Sequence, residues 1–170
     1  TRQPLKQPVA VITVWITYIA NNGTRLKTHL VKQVTNYNRD QVISETEPEV
    51  VAQVDISEEN LKTVQEAMKG VTQSGGTANS VFGDYGITIA AKTGTAENPG
   101  HSDNVTFIAY APYDDPEIAV AVVLEYGSRG TYSMNVAKDI FDAYFYGKTV
   151  DENGNLVMPE ETNSSSTANE

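Results

Sequence analysis

Three apolar, β-branched runs, 87–96, 105–111 and 118–125, follow one another with little between them. The links are Glu97–Asn104 and Pro112–Glu117, and both contain Pro and Asp or Asn. A parallel crossover needs a dozen residues or more, so links this short predict an antiparallel meander. A helix is predicted before it, over 57–73. Ser57 can cap its start, Glu58 and Glu59 suit the positive end of its dipole, and Leu61, Val64, Met68 and Val71 recur at helical spacing. Gly70 and the Gly75-Gly76 pair bring it to an end. A second helix is predicted over Met134–Tyr146, with Val136, Ile140, Phe141 and Tyr144 on the face laid across the sheet and Ser133 as its N-cap. The expected class is α+β, an antiparallel sheet covered by helices.

The flanks are less regular. Val9–Ala20 is an apolar stretch that reads as a buried helix or a buried strand. Its β-branched content favours a strand, whereas Ala20-Asn21-Asn22-Gly23 suits a helix end. A signal-peptide reading is disfavoured by Trp15 and Tyr18 and by the lack of a clean small-x-small site. Lys27–Val34 is expected as a short strand, and 37–54 as loop with short extended pieces. Residues 148–170 are turn chemistry followed by Ser, Asn and Thr, and are expected as a disordered polar tail. The chain opens on Thr1, which leads us to expect a piece of something longer.

Composition removes several classes of function. There are 12 Lys and Arg against 22 Asp and Glu, and all 22 acids lie after residue 39. Such a surface does not suit nucleic acid. The absence of cysteine excludes a disulfide scaffold, a thiol nucleophile and a Cys-ligated zinc. With only His29 and His101, no histidine metal centre and no cofactor is expected. No apolar run reaches the roughly 18–20 residues of a membrane span.

Chemistry concentrates in Gly86–Glu97. Lys92 stands in an apolar strand, followed by Thr93, Gly94 and Thr95. A lysine there is either an edge-strand gatekeeper against aggregation or a cation at the rim of a cleft. Gly94 favours the second reading, because a strand glycine often marks close approach of a ligand to backbone. The threonine hydroxyls and the amides of a strand edge would hold the carboxylate of an extended substrate. The spacing from Gly86 to Thr93 is one residue from a phosphate-binding loop. Ala91 replaces the second glycine, though, and Ile-Thr-Ile-Ala is strand rather than loop.

Lys92-Thr93-Gly94-Thr95-Ala96-Glu97 resembles the Lys-Thr-Gly signature of penicillin-binding protein transpeptidases. Gly76-Thr77-Ala78, Phe107–Pro112, Pro116–Leu124, Ile19–Arg25 with His29 and Val136–Ile140 are similar in order and spacing to that family. The resemblance covers 18–147 and is strongest to the class B type; 1–17 match poorly. It implies a serine acyl-transfer site on peptidoglycan stem peptides ending in D-Ala-D-Ala, with β-lactams as mimics, on the extracytoplasmic face of a bacterial membrane. Lys92 would supply positive potential, Thr93 and Thr95 would hold the carboxylate, the Thr95 N–H would be half of the oxyanion hole, and Gly94 would leave room for the ligand. No serine in the chain has a lysine three residues on, so the Ser-x-x-Lys nucleophile is lacking. Ser102-Asp103-Asn104 and Ser133-Met134-Asn135 read Ser-x-Asn but follow Lys-Thr-Gly, whereas the family's motif precedes it. Ser102 is therefore read as a turn residue and His101 as an exposed loop residue. The expectation is an incomplete transpeptidase-like fold, inactive alone, whose partner is the missing N-terminal half of the domain. The alternatives are a non-catalytic scaffold module of a cell-wall complex and a serine β-lactamase remnant.

Overall fold

The computed structural model describes residues 9–158, with side chains from Ile12 onward. The apolar stretch at the start is helix α1 (Val9–Ala20). Ile16, Ile19 and Ala20, spaced three and four apart, pack on the sheet, and this packing outweighs the strand preference of β-branched residues. Gly23 N–H closes the helix onto the Tyr18 carbonyl at 2.7 Å.

Two small ribbons follow. Strand β1 (Thr24–Leu26) and strand β2 (Gln33–Thr35) flank 27–32, which is not the expected strand. This stretch spends its hydrogen bonds crosswise: Lys27 N–H donates to Glu49 O, and Thr46 Oγ1 donates to Val31 O. Strand β3 (Val42–Glu45) pairs antiparallel with β2, and strand β4 (Val50–Gln53) with β1.

Helix α2 (Glu58–Gly70) is capped as expected, with Ser57 Oγ accepting from Asn60 N–H at 3.3 Å. It stops at Gly70 rather than 73. Leu61 and Met68 are buried, whereas Val64, placed in the same stripe by its spacing, is 40% exposed. A one-turn helix, α3 (Asn79–Phe82), precedes the meander.

The meander is present with the expected connectivity. Strands β5 (Ala90–Ala96), β6 (Asn104–Ala111) and β7 (Ile118–Leu124) form an antiparallel sheet in the order β5-β6-β7. Residues 87–89 stand outside the strand. Lys92 pairs with Ile108 and Gly94 with Thr106, and in turn Ile108 pairs with Ala121 and Thr106 with Val123. Alternation gives the sheet two apolar faces. One carries Ala90 and Tyr110 and is covered by Ile16 and Ala20 of α1 and Met68 of α2. The other carries Ala91, Phe107, Ala109, Val120 and Val122 and meets Phe82 of α3 and Met134, Ala137 and Phe141 of the closing helix. Phe82 stacks on Phe107 with ring centroids 5.5 Å apart.

That closing helix, α4 (Gly130–Tyr146), begins four residues before the expected start. Of the expected inward face only Phe141 is buried. Met134, Ala137 and Phe141 are buried, whereas Val136, Ile140 and Tyr144 are exposed. Both stripes have helical spacing; the small Ala137 lets the helix axis approach the sheet. Ser133 is not the N-cap. It lies one turn inside, fully buried, and its Oγ donates to Gly130 O at 2.8 Å. At the far end the Asp142 side chain, 3% exposed, accepts from Lys138 Nζ at 2.7 Å, Lys148 Nζ at 2.8 Å and Tyr85 OH at 2.9 Å. This cluster ties α4 to the segment leading into β5.

The tail expected over 148–170 begins as a hairpin of strands β8 (Thr149–Val150) and β9 (Leu156–Val157). Asp151 closes it by accepting from the N–H groups of Asn153 and Asn155. The rest of that expectation, from residue 159, lies outside the described residues, as do residues 1–8 of the poorly matching segment 1–17.

Tyr110 is fully buried between α1 and the sheet, and its hydroxyl has no hydrogen-bond partner among the described residues. Leaving a buried hydroxyl unpaired costs about 1–3 kcal/mol. Tyr110→Phe is therefore expected to stabilise the fold by about 1 kcal/mol. Urea unfolding checks it, and a destabilised variant would show that the hydroxyl is satisfied.

Candidate functional site

Among the described residues, strand β5 is the edge of its sheet, with β6 on one side only. An edge strand leaves alternate N–H and C=O groups unpaired and open to another extended chain. The first residues of β5, Ala90 and Ala91, are fully buried; Lys92, Thr95 and Ala96 are exposed, and Thr93 and Gly94 are half-buried. The strand thus runs from the core outward, with its polar residues at the rim.

What holds the strand in place comes from the end of α2. Thr72, 4% exposed, donates from Oγ1 to Ile89 O at 2.7 Å, just before β5 starts. The chain then folds back over the helix end. A Cβ on Gly76 would lie 2.2 Å from Val71 O and 2.3 Å from Gly70 O, so only glycine fits. Ala78 N–H bonds to Val71 O at 2.9 Å, and its side chain is fully buried. Between these two anchors, Thr77 Oγ1 sits 3.1 Å from Thr93 Oγ1. Gly76 was expected to end the helix, and Thr77-Ala78 stood out only as a flank of the resemblance. The segment's signal was a glycine pair directly after a helix, followed by a hydroxyl and a small residue.

Lys92 Nζ donates to the carbonyl of Thr93. No carboxylate among the described residues lies within ion-pair distance of it. An unpaired cation on so acidic a chain is a local attractor for anions. Alternation puts Lys92 and Gly94 on the face shared with α1 and α2, and Thr93 and Thr95 on the other. The four residues share the rim of one strand, approached from both faces.

An added Cβ at Gly94 would lie 2.3 Å from Thr106 Oγ1 on the neighbouring strand. The missing side chain makes room for that hydroxyl.

Ser102 and His101 are exposed in the link between β5 and β6, and no hydrogen bond joins either to residues 92–95. His101 packs edge-on against Tyr126, ring centroids 5.4 Å apart. Among the described residues, no serine hydroxyl is hydrogen-bonded to a lysine or histidine, so no activated nucleophile is assembled. No group of acidic and histidine side chains there could hold a metal. Two surface cavities, one between Trp15, Tyr18 and His29 and one between Asn22, Leu61 and Gln65, are lined by none of residues 92–95. Residues 92–95 thus lie on an open rim, not in a closed pocket.

An antiparallel sheet layered between helices, with Lys-Thr-Gly-Thr on its open edge, defines a domain of the penicillin-binding, serine β-lactamase-like class. Comparison with known proteins narrows the class. Residues 11–145 match the family model for the penicillin binding protein transpeptidase domain, and the chain belongs to that family. Penicillin-binding protein 2A of Bacillus subtilis is 33% identical over 150 residues, 77% of this chain and 21% of its own length. Penicillin-binding protein 2B of Streptococcus pneumoniae superposes with a TM-score of 0.67 at 29% identity, over 78% of this chain and 24% of that one. A penicillin G acyl-enzyme complex of penicillin-binding protein A from M. tuberculosis gives 0.62 at 26% identity, over 78% and 31%. The chain spans about a fifth of the length of the curated relative. Among the described residues, no helix is long and apolar enough to cross a membrane.

Proposed function

We propose that this chain supplies the Lys-Thr-Gly-Thr wall of a class B peptidoglycan D,D-transpeptidase, with 18–147 as its share of the transpeptidase domain. The observation that carries the reading is the unpaired Lys92 on an open sheet edge, beside the Thr77–Thr93 hydroxyl pair. The rest of the domain brings the Ser-x-x-Lys serine to this rim from the opposite wall. The stem peptide lies along β5 as an added strand, and its terminal carboxylate meets Thr93 and Thr95. Serine Oγ attacks the carbonyl of the penultimate D-alanine, and the terminal D-alanine leaves with its nitrogen protonated. The oxyanion formed on the way is met by the Thr95 N–H and a second donor from the other wall. An amine of a second stem peptide then attacks the ester, forms the cross-link and returns the serine. Lys92 holds positive potential at the carboxylate throughout. A β-lactam enters the first step and stays as the acyl-enzyme. The site works at the extracytoplasmic face of a bacterial membrane.

Fluorescent penicillin labelling tests this. The chain alone, lacking Ser-x-x-Lys, is expected to give no labelled band on a denaturing gel. The complete polypeptide that contains it is expected to give one, abolished by unlabelled penicillin. A stable band on the chain alone overturns the division between two walls. No band on the complete polypeptide overturns catalysis and favours the non-catalytic scaffold.

A further inference from the structure

Thr77 belongs to no strand of the rim, yet its Oγ1 lies 3.1 Å from Thr93 Oγ1, and either oxygen can be the donor. Thr93 and Thr95 share one face of β5, paired with Phe107 and Val105 in the β5–β6 register. That is the sheet face covered by α3 and α4, and the segment bearing Thr77 runs directly into α3. Thr77 therefore reaches the face on which the acyl donor's carboxylate is placed. Its backbone is held on both sides. Gly76 is pressed against the carbonyls of Gly70 and Val71, and the fully buried Ala78 donates its N–H to Val71 O. One residue on, Asn79 Nδ2 donates to Thr72 O at 3.3 Å, while Thr72 Oγ1 holds Ile89 O ahead of β5 at 2.7 Å. The segment and the strand are thus tied to the same helix end, which fixes the distance between the two hydroxyls.

Two threonines can meet across a rim without purpose, because an exposed hydroxyl bonds to water almost as well. Two features go beyond that. The Thr77 side chain is exposed, so core packing does not account for its place, whereas both neighbours are locked. The partner it meets is one of the two hydroxyls that hold the carboxylate. From these we infer that Thr77 is a positioning residue for Thr93: its O–H donates to Thr93 Oγ1 and so turns the Thr93 proton toward the carboxylate of the acyl donor. This inference rests on the transpeptidase reading above. A hydroxyl has one proton and two acceptor lone pairs. With Thr77 donating to one lone pair, the Thr93 proton is directed elsewhere, and the bound anion takes it. The chain then runs from Thr77 to Thr93 to the carboxylate, each bond polarising the next. Thr77 does not itself touch the substrate.

The test uses the complete polypeptide and two probes, benzylpenicillin with its free carboxylate and its methyl ester. Thr77→Val keeps the side-chain shape and removes the donor; Thr77→Ser keeps the donor. Loss of one hydrogen bond leads us to expect that Thr77→Val lowers the acylation rate constant for the carboxylate by about fivefold. The ester should change less than about twofold, and Thr77→Ser should stay near the parent for both. In a Thr93→Val background the same Thr77→Val step should change the rate by less than about twofold, because no Thr93 hydroxyl is left to orient. Equal loss on both probes would mean a packing role and overturns the inference, as does no change on the carboxylate. A loss that persists undiminished in the Thr93→Val background overturns it too, since Thr77 would then act without Thr93. Wild-type protein that acylates with neither probe overturns the transpeptidase reading and this inference with it. Wild-type acylation with the wrong variant pattern overturns this inference alone.

Discussion

Replacing Lys92 by alanine in the complete transpeptidase is expected to lower penicillin acylation by about 10²–10³-fold, the loss that follows removal of a preorganised stabilising group from an acyl-transfer site. Lys92 is exposed, has no carboxylate partner among the described residues and bonds only to the adjacent Thr93 carbonyl. Surface substitutions of that kind change stability by about 0.5 kcal/mol or less, so the melting temperature should barely move. The same strand position in a gatekeeper role predicts the reverse: acylation intact and more aggregation. Stopped-flow acylation together with light scattering separates the two. Lys92→Arg keeps the charge on a different fork geometry and should retain part of the rate.

Asp142→Ala carries the largest expected effect on the fold, a destabilisation of about 1–3 kcal/mol, because the two lysines it leaves are partly exposed and can be solvated. The substitution leaves Lys138 and Lys148 facing each other around a buried gap, and frees Tyr85. Burial alone would raise the Asp142 carboxyl, but the hydrogen bonds from Lys138, Lys148 and Tyr85 outweigh it and hold the group below its ordinary 3.8. A carboxylate with a lowered value in the folded state adds stability above its unfolded value. That stability drains away as pH falls below 3.8 toward the folded value. Wild-type stability should therefore drop in this acid range more steeply than that of Asp142→Asn. Parallel pH–stability curves for the two would show that the cluster is not ionic. Because Tyr85 lies just before β5, loosening this cluster should also widen the spread of positions available to Lys92.

How much of this was readable along the chain differs between elements. The meander was, because strand period and link length are local properties and the links 97–104 and 112–117 admit only antiparallel neighbours. The Ser57 cap of α2 was, because a cap is made by residues three apart. The Lys-Thr-Gly-Thr segment stood out for the same reason: a charge and a glycine inside an apolar run break a local pattern.

Helix faces were less legible. In α4 the expected face Val136-Ile140-Phe141-Tyr144 and the observed one Met134-Ala137-Phe141 are both helical in period and share Phe141, and composition favoured the bulkier set. The sheet took the stripe with the small residue at its centre, since close packing rewards fit rather than hydrophobicity alone. In α2, Val64 likewise lay on the right period yet outside the contact. The apolar stretch of α1 carried strand-forming residues, and only the face waiting on Tyr110 and Ala119 made it a helix.

The polar surroundings of the rim were the least legible part. Thr77 is 16 residues from Thr93, and Thr106 is 12 from Gly94. By itself, the order of residues determined that there would be an antiparallel sheet, helices to cover it and a cation beside a glycine in one of its strands, because each depends on neighbours in the chain. Only tertiary structure decided that this strand is the open edge, that Thr77 meets Thr93, and that Thr106 fills the space above Gly94. Those outcomes depend on strand register and on loop closure over a helix end, and a single-residue slip in either would exchange every partner.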